Sequence, residues 1–337
     1  MRCPSLSELP APPPGRAGWP WTEESFRLPE TPESAPWPRI TIVTPSFNQG
    51  AFIEETIRSI LLQGYPDLEY FIFDGGSTDN TVEIIRKYST WISFWVSERD
   101  RGQSAAINRG LRMGSGLHAT WICSDDMLCK NALTNHLLTE GLAKNVVYIG
   151  DCIHIDETGR TLFTHRGRVQ SFEDLVEVSS VWCDQGWIDQ PGVIFPLELA
   201  LRDGLNEGNY FSMDYELWGH LLLRGARVHY TGIPFGFFRR RREQKTQDEE
   251  KSIESMLDAA ERLVVAANLL GAEKKERILA DLKAFRKAYK EARWKQSGRL
   301  AKLGLPPAIV EPVRHFRRRV EAKITNFRLA PFERGDE

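Results

Sequence analysis

Hydrophobic and polar positions change period repeatedly along the middle of the chain. From about residue 38, short runs of β-branched and aromatic residues indicate strands, and apolar residues at helical spacing follow each of the first three. The predicted strands are RITIVTP, LEYFIFD, WISFWVS and HATWICS. The predicted helices between them are FIEETIRSILLQG, TVEIIRKY and QSAAINRGLRMG. This alternation predicts right-handed crossovers and an α/β fold, a doubly wound, mostly parallel sheet with helices on both faces.

Two of these helices carry start and stop signals. The first has one apolar face and is expected to end at Gly64. That face is formed by Ile53, Ile57, Ile60 and Leu61. At the start of the second helix, Asn80 and Glu83 have the spacing of a capping box.

The flanks differ in composition from the middle. Residues 1–37 are rich in Pro and Trp and predict an extended arm anchored by Trp19, Trp21 and Trp37, with a disordered leader as the open alternative. Residues 38–247 form the α/β domain. Residues 248–337 predict a helical extension that is broken near GLPPAIVEP. Because residues 277–326 carry an excess of about ten basic side chains, its surface is expected to be basic.

Composition excludes several classes of protein. The 337-residue chain has a formal net charge of only −2, so as a whole it is not suited to binding polyanions. Its five cysteines form no CxxC pair, which argues against a disulfide framework and a structural zinc site. The seven histidines show no metal-ligand spacing. No apolar run reaches the roughly 20 residues of a membrane-spanning helix, and the N-terminus lacks the apolar core of a signal peptide, so we expect a cytoplasmic protein.

Polar residues cluster at the carboxyl ends of the predicted strands, where doubly wound sheets bind ligands. These segments are Pro45-Ser46-Phe47-Asn48, Asp74-Gly75-Gly76-Ser77 and Ser124-Asp125-Asp126. Adjacent carboxylates favour a hard divalent ion, whose coordination a diphosphate would complete. Two simpler interpretations stay open, namely aspartates that cap a helix and a glycine turn after Asp74. The chain has neither a GxGxxG nor a P-loop motif.

An ordered set of motifs resembles family 2 glycosyltransferases of the GT-A fold. It begins with ITIVTPSFNQGAFIEETIRSILLQGYPDLEYFIFDGGSTDNTVEIIRKY and continues with WVSERDRGQSAAINRGL and WICSDDM. Further matches are VVYIGDCIHIDETGR, IDQPGVIFP, SMDYELW and FFRRRREQKT. The resemblance covers about residues 38–246. It implies an inverting, metal-dependent transfer of a sugar from a nucleotide-diphosphate donor to a glycan or lipid-linked acceptor in bacterial surface polysaccharide or glycolipid synthesis.

The resemblance also implies roles for individual residues. Asp125 and Asp126 match the DxD-type motif that binds Mg²⁺ or Mn²⁺. Asp214 matches the catalytic base, with Glu216 close behind, and Gln190-Pro191-Gly192 matches a loop on the acceptor side. The implied donor-binding residues are Pro45, Ser46, Asn48, Asp74, Gly75, Gln103, Asp126, Arg239 and Arg241.

Four positions depart from the pattern of the family. Cys123 replaces the first acid of DxD, Gly75 the second acid of a DDGS motif, and Ala105 a polar residue. Arg241 stands at about the position of a histidine, so we expect Arg239 or Arg241 to contact phosphate.

Two other functions remain alternatives. A nucleotidyltransferase would have a similar fold, but VTPSFNQG lacks the basic residue of its glycine-rich loop. A non-catalytic relative would bind a sugar nucleotide or act as a scaffold. The basic C-terminal helices are either a solvated face or a peripheral contact with anionic lipid at the inner face of the membrane. We expect no nucleic-acid partner, because no binding module is recognisable.

Overall fold

The computed structural model describes residues 3–29, 37–135, 141–242, 244–245 and 248–296. The strands are β1 Ile40–Ser46, β2 Leu68–Asp74, β3 Phe94–Ser97, β4 His118–Trp121, β5 Met127–Leu128, β6 Val146–Ile155, β7 Thr161–His165, β8 Val193–Pro196 and β9 Arg227–Arg239. The helices are α1 Ile53–Leu61, α2 Thr81–Lys87, α3 Gln103–Met113, α4 Phe172–Val176, α5 Leu197–Asp203, α6 Met213–Leu223, α7 Glu249–Ala266 and α8 Ala272–Gln296. A π-helical segment covers Val178–Gly186.

The strands form one sheet in the order β3-β2-β1-β4-β8-β6-β9-β5, and β7 pairs with β6. Strands β1 to β4 are parallel, as the sequence pattern predicts. Strand β8 is antiparallel to β4 and β6, whereas β9 runs parallel to β6. Strands β1, β2, β3, β4, β6 and β9 therefore point the same way, which confirms a mostly parallel sheet.

Helices cover both faces of this sheet. Along β2, Phe71 and Phe73 pack into one apolar cluster together with α3, α6 and α7. Tyr70 and Ile72 pack into a second cluster on the other face, with α1. Alternate residues of a strand point to opposite faces, so a strand that is apolar throughout can bury both. The predicted doubly wound arrangement is confirmed.

The predicted boundaries of α1 and α2 have different outcomes. The predicted apolar face of α1 is fully buried, and Gly64 follows the helix with φ +67°. The capping box at Asn80 is wrong, because the side chain of Asn80 makes no cap hydrogen bond. Instead, Asp79 Oδ1 accepts from the backbone N–H of Thr81 at 3.0 Å. The other carboxylate oxygen of Asp79, Oδ2, accepts from Gly50 N–H at 2.9 Å, and this bond helps to hold Asp79 in place.

The N-terminal segment packs against the domain. Arg58 is fully buried, and its guanidinium donates to the carbonyl oxygens of Pro10, Pro20 and Trp21 at 2.8, 3.1 and 2.9 Å. Trp19 Nε1 donates to Leu128 O at 2.9 Å. A buried arginine requires acceptors for its donors, and the arm supplies them as backbone carbonyls.

The predicted C-terminal helices are present as α7 and α8. Leu257, Leu263 and Val264 of α7 are buried in the cluster that contains Trp218 of α6. Within the described part of the chain, no helix is both long and apolar enough to cross a membrane. The predicted break near GLPPAIVEP and most of the basic segment lie outside the described residues.

Candidate active site

A cleft of about 860 Å³ opens at the carboxyl ends of β1, β2 and β4. Its lining combines strand ends, the start of α3 and the segment after β9. The lining residues are Pro45, Ser46, Phe47, Gln49, Gly75, Gly76, Arg99, Asp100, Gly102, Gln103, Ala106, Cys123, Ser124, Asp125, Asp126, Tyr210, Phe238, Arg241, Gln244 and Lys245. The cleft therefore lies where the sheet topology predicts a ligand.

The end of β1 offers the cleft one polar group and one aromatic ring. The hydroxyl of Ser46 is buried and has no hydrogen-bond partner among the described residues. A buried polar atom without a partner is costly, so a ligand that bonds to it would be favoured. Phe47 is 59% exposed on the cleft wall. Asn48 does not line the cleft, and its Oδ1 instead accepts from Thr78 N–H at 2.8 Å.

The end of β2 is ordered by Asp74. The side chain of Asp74 is buried, and Oδ2 accepts from Ser97 Oγ at 2.6 Å and from Ser77 N–H at 2.8 Å. Its Oδ1 accepts from Ser77 Oγ at 2.5 Å. Both oxygens of the Asp74 carboxylate are thus hydrogen-bonded to protein groups. Asp74 does not line the cleft, whereas Gly75 does. The carboxylate of Asp74 therefore stabilises the glycine turn beside the cleft.

The two adjacent aspartates reach the cleft, but each has a cationic or amide neighbour. Asp125 Oδ2 lies 3.2 Å from Arg241 Nη1, and both side chains are mostly buried. Asp126 Oδ1 accepts from Arg239 N–H at 2.8 Å. Burial, together with the charge of Asp125, raises the pKa of Asp126 well above its ordinary value. The positive partner of the pair in this structure is arginine.

Arg239, one of the two predicted phosphate contacts, lies outside the lining of the cleft. It is 1% exposed. Its Nη2 donates to Glu55 Oε2 at 2.6 Å and its Nε to the carbonyl oxygen of Asp125 at 2.9 Å. Because its donors point to protein acceptors, Arg239 holds the aspartate segment in place. Arg241, by contrast, lines the cleft.

The residues at this strand end do not fit the predicted divalent ion in this arrangement. Asp125 is paired with a guanidinium, and Cys123 offers a soft sulfur where Mg²⁺ or Mn²⁺ prefers oxygen. A doubly charged ion about 4 Å from a guanidinium would be repelled by about 8 kcal/mol at an effective dielectric constant of about 20. The described residues hold another group of possible metal ligands.

That group is formed by Cys152, His154 and Asp189, none of which lines the cleft. Its ligand atoms lie within 4.8 Å of one another. Arg240 Nε donates to His154 Nδ1 at 3.0 Å, so the ring proton of His154 is on Nε2, which lies 3.3 Å from Asp189 Oδ1. A protonated Nε2 has no lone pair for a metal. We therefore interpret the group as a polar cluster around Asp189, in which His165 also takes part.

Asp214 lies at the start of α6, beside the cleft rather than in its lining. Its Oδ1 accepts from Tyr215 N–H at 2.8 Å. Burial raises the pKa of Asp214, and the ammonium of Lys245 partly offsets this effect. A carboxylate with a raised pKa is better suited to accepting a proton than an ordinary aspartate. Glu216 points elsewhere and pairs with Arg262 of α7 at 2.8 Å.

Lys245 connects these parts of the site, and sequence analysis missed its role. Its Nζ donates to Gln103 Oε1 at 2.7 Å and to Tyr210 O at 2.8 Å. Gln103 Nε2 in turn donates to Cys123 Sγ at 3.0 Å. Lys245 belongs to the motif FFRRRREQKT, in which the sequence pattern points to the arginines as phosphate contacts. Arg99 and Asp100 were missed in the same way within WVSERDRGQ.

Gln190-Pro191-Gly192, the predicted acceptor-side loop, forms a 3₁₀ turn behind the strand end. Gln190 Nε2 donates to Trp121 O at 2.5 Å, and the turn leads into β8. None of its three residues lines the cleft. In this structure the loop supports β4.

Comparison with known proteins finds one matching family model and several similar proteins. Residues 41–181 match Glycosyl transferase family 2. An uncharacterized glycosyltransferase of Rickettsia typhi is 25% identical over 197 residues, which are 57% of this chain and 61% of the relative. The putative teichuronic acid biosynthesis glycosyltransferase TuaG of Bacillus subtilis is 33% identical over 103 residues, covering 30% of this chain and 41% of TuaG. The chain thus spans less than two thirds of these relatives.

Two solved structures have a similar fold. S. aureus TarS 1-349, in complex with UDP-GlcNAc, has a TM-score of 0.58 at 16% identity and covers 86% of this chain and 83% of its own. The mannosyltransferase PcManGT of Pyrobaculum calidifontis, in complex with GDP-Man and Mn²⁺, has a TM-score of 0.50 at 18% identity, covering 90% of each chain. Over residues 41–181 the chain therefore resembles glycosyl transferase family 2, and its fold is similar to that of TarS and PcManGT.

Proposed function

We propose that this protein transfers a sugar from a nucleoside diphosphate sugar to a hydroxyl group of a glycan or lipid-linked acceptor, with inversion at the anomeric carbon. The observation that carries the proposal is the position of Asp214. A carboxyl group with a raised pKa stands next to a cleft that is lined by Arg99, Arg241 and Lys245. The pairing of a base with a cationic cleft suits a reaction in which a hydroxyl loses a proton and a diphosphate departs.

The donor is expected to lie along the strand ends. A nucleoside diphosphate is planar at one end and anionic at the other. Phe47, with its exposed ring, supports stacking against a base or a sugar, and Ser46 offers a buried hydroxyl. Arg241 and Lys245 offer positive charge to the phosphates. The complexes of TarS with UDP-GlcNAc and of PcManGT with GDP-Man support this class of donor.

The reaction is a single displacement. Asp214 accepts the proton of the acceptor hydroxyl while its oxygen forms a bond to the anomeric carbon. The bond between that carbon and the diphosphate oxygen breaks on the opposite side, and the nucleoside diphosphate leaves with the electron pair. One displacement inverts the configuration, by the stereochemical logic of glycoside hydrolysis. Lys245 donates to Gln103, and its charge acts on Asp214, although burial lowers the pKa of Lys245 itself.

The proposal extends to the acceptor and the location of the protein. The name of TuaG links one relative to teichuronic acid biosynthesis, which supports a surface glycan or glycolipid as the product pathway. We propose action on the cytoplasmic side, with the basic C-terminal segment touching anionic lipid. We likewise propose the division into an arm (1–37), a catalytic domain (38–247) and an extension (248–337).

The products of the reaction test the proposal. The full-length protein is incubated with UDP-, GDP- and dTDP-sugars, and nucleotide products are separated by ion-exchange chromatography. We expect release of nucleoside diphosphate from at least one donor, at a rate that Asp214→Asn lowers at least 100-fold while donor binding persists. Consumption of a nucleoside triphosphate and a sugar phosphate with release of pyrophosphate would show a nucleotidyltransferase instead. Binding of a donor without any turnover would show a non-catalytic relative.

A further inference from the structure

Arg241 is built into the site rather than placed on the surface. Its Nη1 donates to Gln49 Oε1 at 2.7 Å and to Asp125 Oδ2 at 3.2 Å. Its guanidinium carbon lies 4.6 Å from the centre of the Phe52 ring, and its backbone N–H donates to Gln244 Oε1 at 3.1 Å. Its side chain is only 17% exposed. A side chain held from several directions loses little freedom when a ligand binds.

The held guanidinium still has donors to offer. Among the residues that the structure describes, both side-chain hydrogen bonds of Arg241 come from Nη1. Arginine has five N–H donors in a flat fork that matches two phosphate oxygens at once. Nε and Nη2 therefore remain for a phosphate in the cleft that Arg241 lines.

The guanidinium of Arg241 lies beside the carboxylate of Asp125, where the sequence predicts a metal ion. Asp125 is the acid expected to hold a divalent ion, and its carboxylate is already paired with Arg241. Cys123 leaves no second carboxylate at the first position of the motif. The chain thus carries a fixed positive charge where a metal-dependent site needs a free carboxylate.

We propose that Arg241 supplies the positive charge to the donor diphosphate, so that donor binding by this protein needs no divalent metal. Asp125 then positions the guanidinium instead of holding an ion. The inference rests on the proposed function, because it assumes a nucleoside diphosphate in the cleft. It separates this protein from PcManGT, whose structure contains Mn²⁺.

The test is calorimetric titration of the full-length protein with UDP, GDP and dTDP. Each titration is run in EDTA and again in 5 mM Mn²⁺. We expect one diphosphate to bind with dissociation constants that agree within about threefold in the two buffers. Tightening of tenfold or more by Mn²⁺ would overturn the inference while leaving the glycosyltransferase function intact. If no diphosphate binds in either buffer, the proposed function itself falls, and the inference falls with it.

A pair of variants identifies the residue. Arg241→His should weaken diphosphate binding in EDTA at least tenfold. Arg242→His is the matched control, because Arg242 is the next residue, is exposed and does not line the cleft. It makes the same change of charge and should keep the dissociation constant within about twofold. Equal affinities of Arg241→His and the wild type, with unchanged melting temperatures, would overturn the assignment of Arg241.

Discussion

Replacing Glu216 with glutamine is expected to lower the free energy of unfolding by about 2 kcal/mol at pH 7.5. Glu216 is buried and accepts from Arg262 Nε and Nη2 at 3.0 and 2.8 Å and from Asn209 Nδ2 at 2.6 Å. Hydrogen bonds to charged groups contribute about 1.5–3 kcal/mol each. Because the side chain of Arg262 is 49% exposed, water replaces much of its lost contact and the total is discounted.

The loss should also depend on pH. Burial alone raises the pKa of Glu216, but the hydrogen bonds from Arg262, Asn209 and Asn206 outweigh it, so the net pKa is lowered from 4.5. A carboxyl whose pKa is lowered by folding stabilises the protein above its unfolded pKa and loses that contribution as the pH falls. The difference between wild type and Glu216→Gln should therefore shrink below about pH 4.5.

The measurement is urea unfolding followed by tryptophan fluorescence at pH 7.5 and pH 4. Glu198→Gln is the matched control, since Glu198 is 84% exposed and pairs with Arg202 only at the surface. The control should change the free energy of unfolding by less than about 0.5 kcal/mol. A difference for Glu216→Gln that is below 0.5 kcal/mol, or equal at both pH values, would refute the reasoning. The pair joins α6, which carries Asp214, to α7, so the result also reports on the support of the proposed base.

Three further changes have defined outcomes. Asp214→Asn should lower kcat by about 10²–10⁴-fold. In the wild type, the acid limb of the profile of kcat/KM against pH should lie above 3.8, because the pKa of Asp214 is raised and the base must be ionised. Retention of kcat within tenfold in the variant would exclude Asp214 as the base. Gly110→Ala should destabilise by about 1–3 kcal/mol in thermal unfolding, because its Cβ would lie 2.6 Å from both methyls of Val43. Gly271→Ala, with nothing within 4 Å, is its control, and equal effects would contradict the packing argument. Phe47→Ala should weaken diphosphate binding in calorimetry by up to about tenfold, and an unchanged affinity would exclude stacking on Phe47.

The architecture of the first half of the domain could be predicted because its signals are local. Strands that are apolar at every position, such as β1 and β2, alternate with helices that have one buried face, such as α1. The spacing of hydrophobic residues along the sequence indicates both kinds of element directly. Strand β9 and the pairings of β6 were not predicted, because their partners lie far apart in the sequence.

The site was predicted in its location but not in its interactions. The strand-end rule predicted that Ser46, Gly75 and Asp125 lie at one edge of the sheet, and all three line the same cleft. It could not show that the carboxylate of Asp74 accepts hydrogen bonds from Ser77 and Ser97, because hydrogen-bond partners depend on the path of the loop. Motif position alone also made Arg239 and Arg241 equivalent, although one is buried in backbone contacts and the other faces the cleft.

What the sequence by itself determined is therefore the order of elements, the edge of the sheet at which the cleft lies, and the resemblance to family 2 glycosyltransferases. What only the tertiary structure decided is the charge of the site. Whether Asp125 is free to bind a metal ion depends on which cationic side chain the folded chain places beside it. That side chain is Arg241, which lies 116 positions beyond Asp125. Electrostatic energy depends on distance in space, and a sequence reports only distance along the chain.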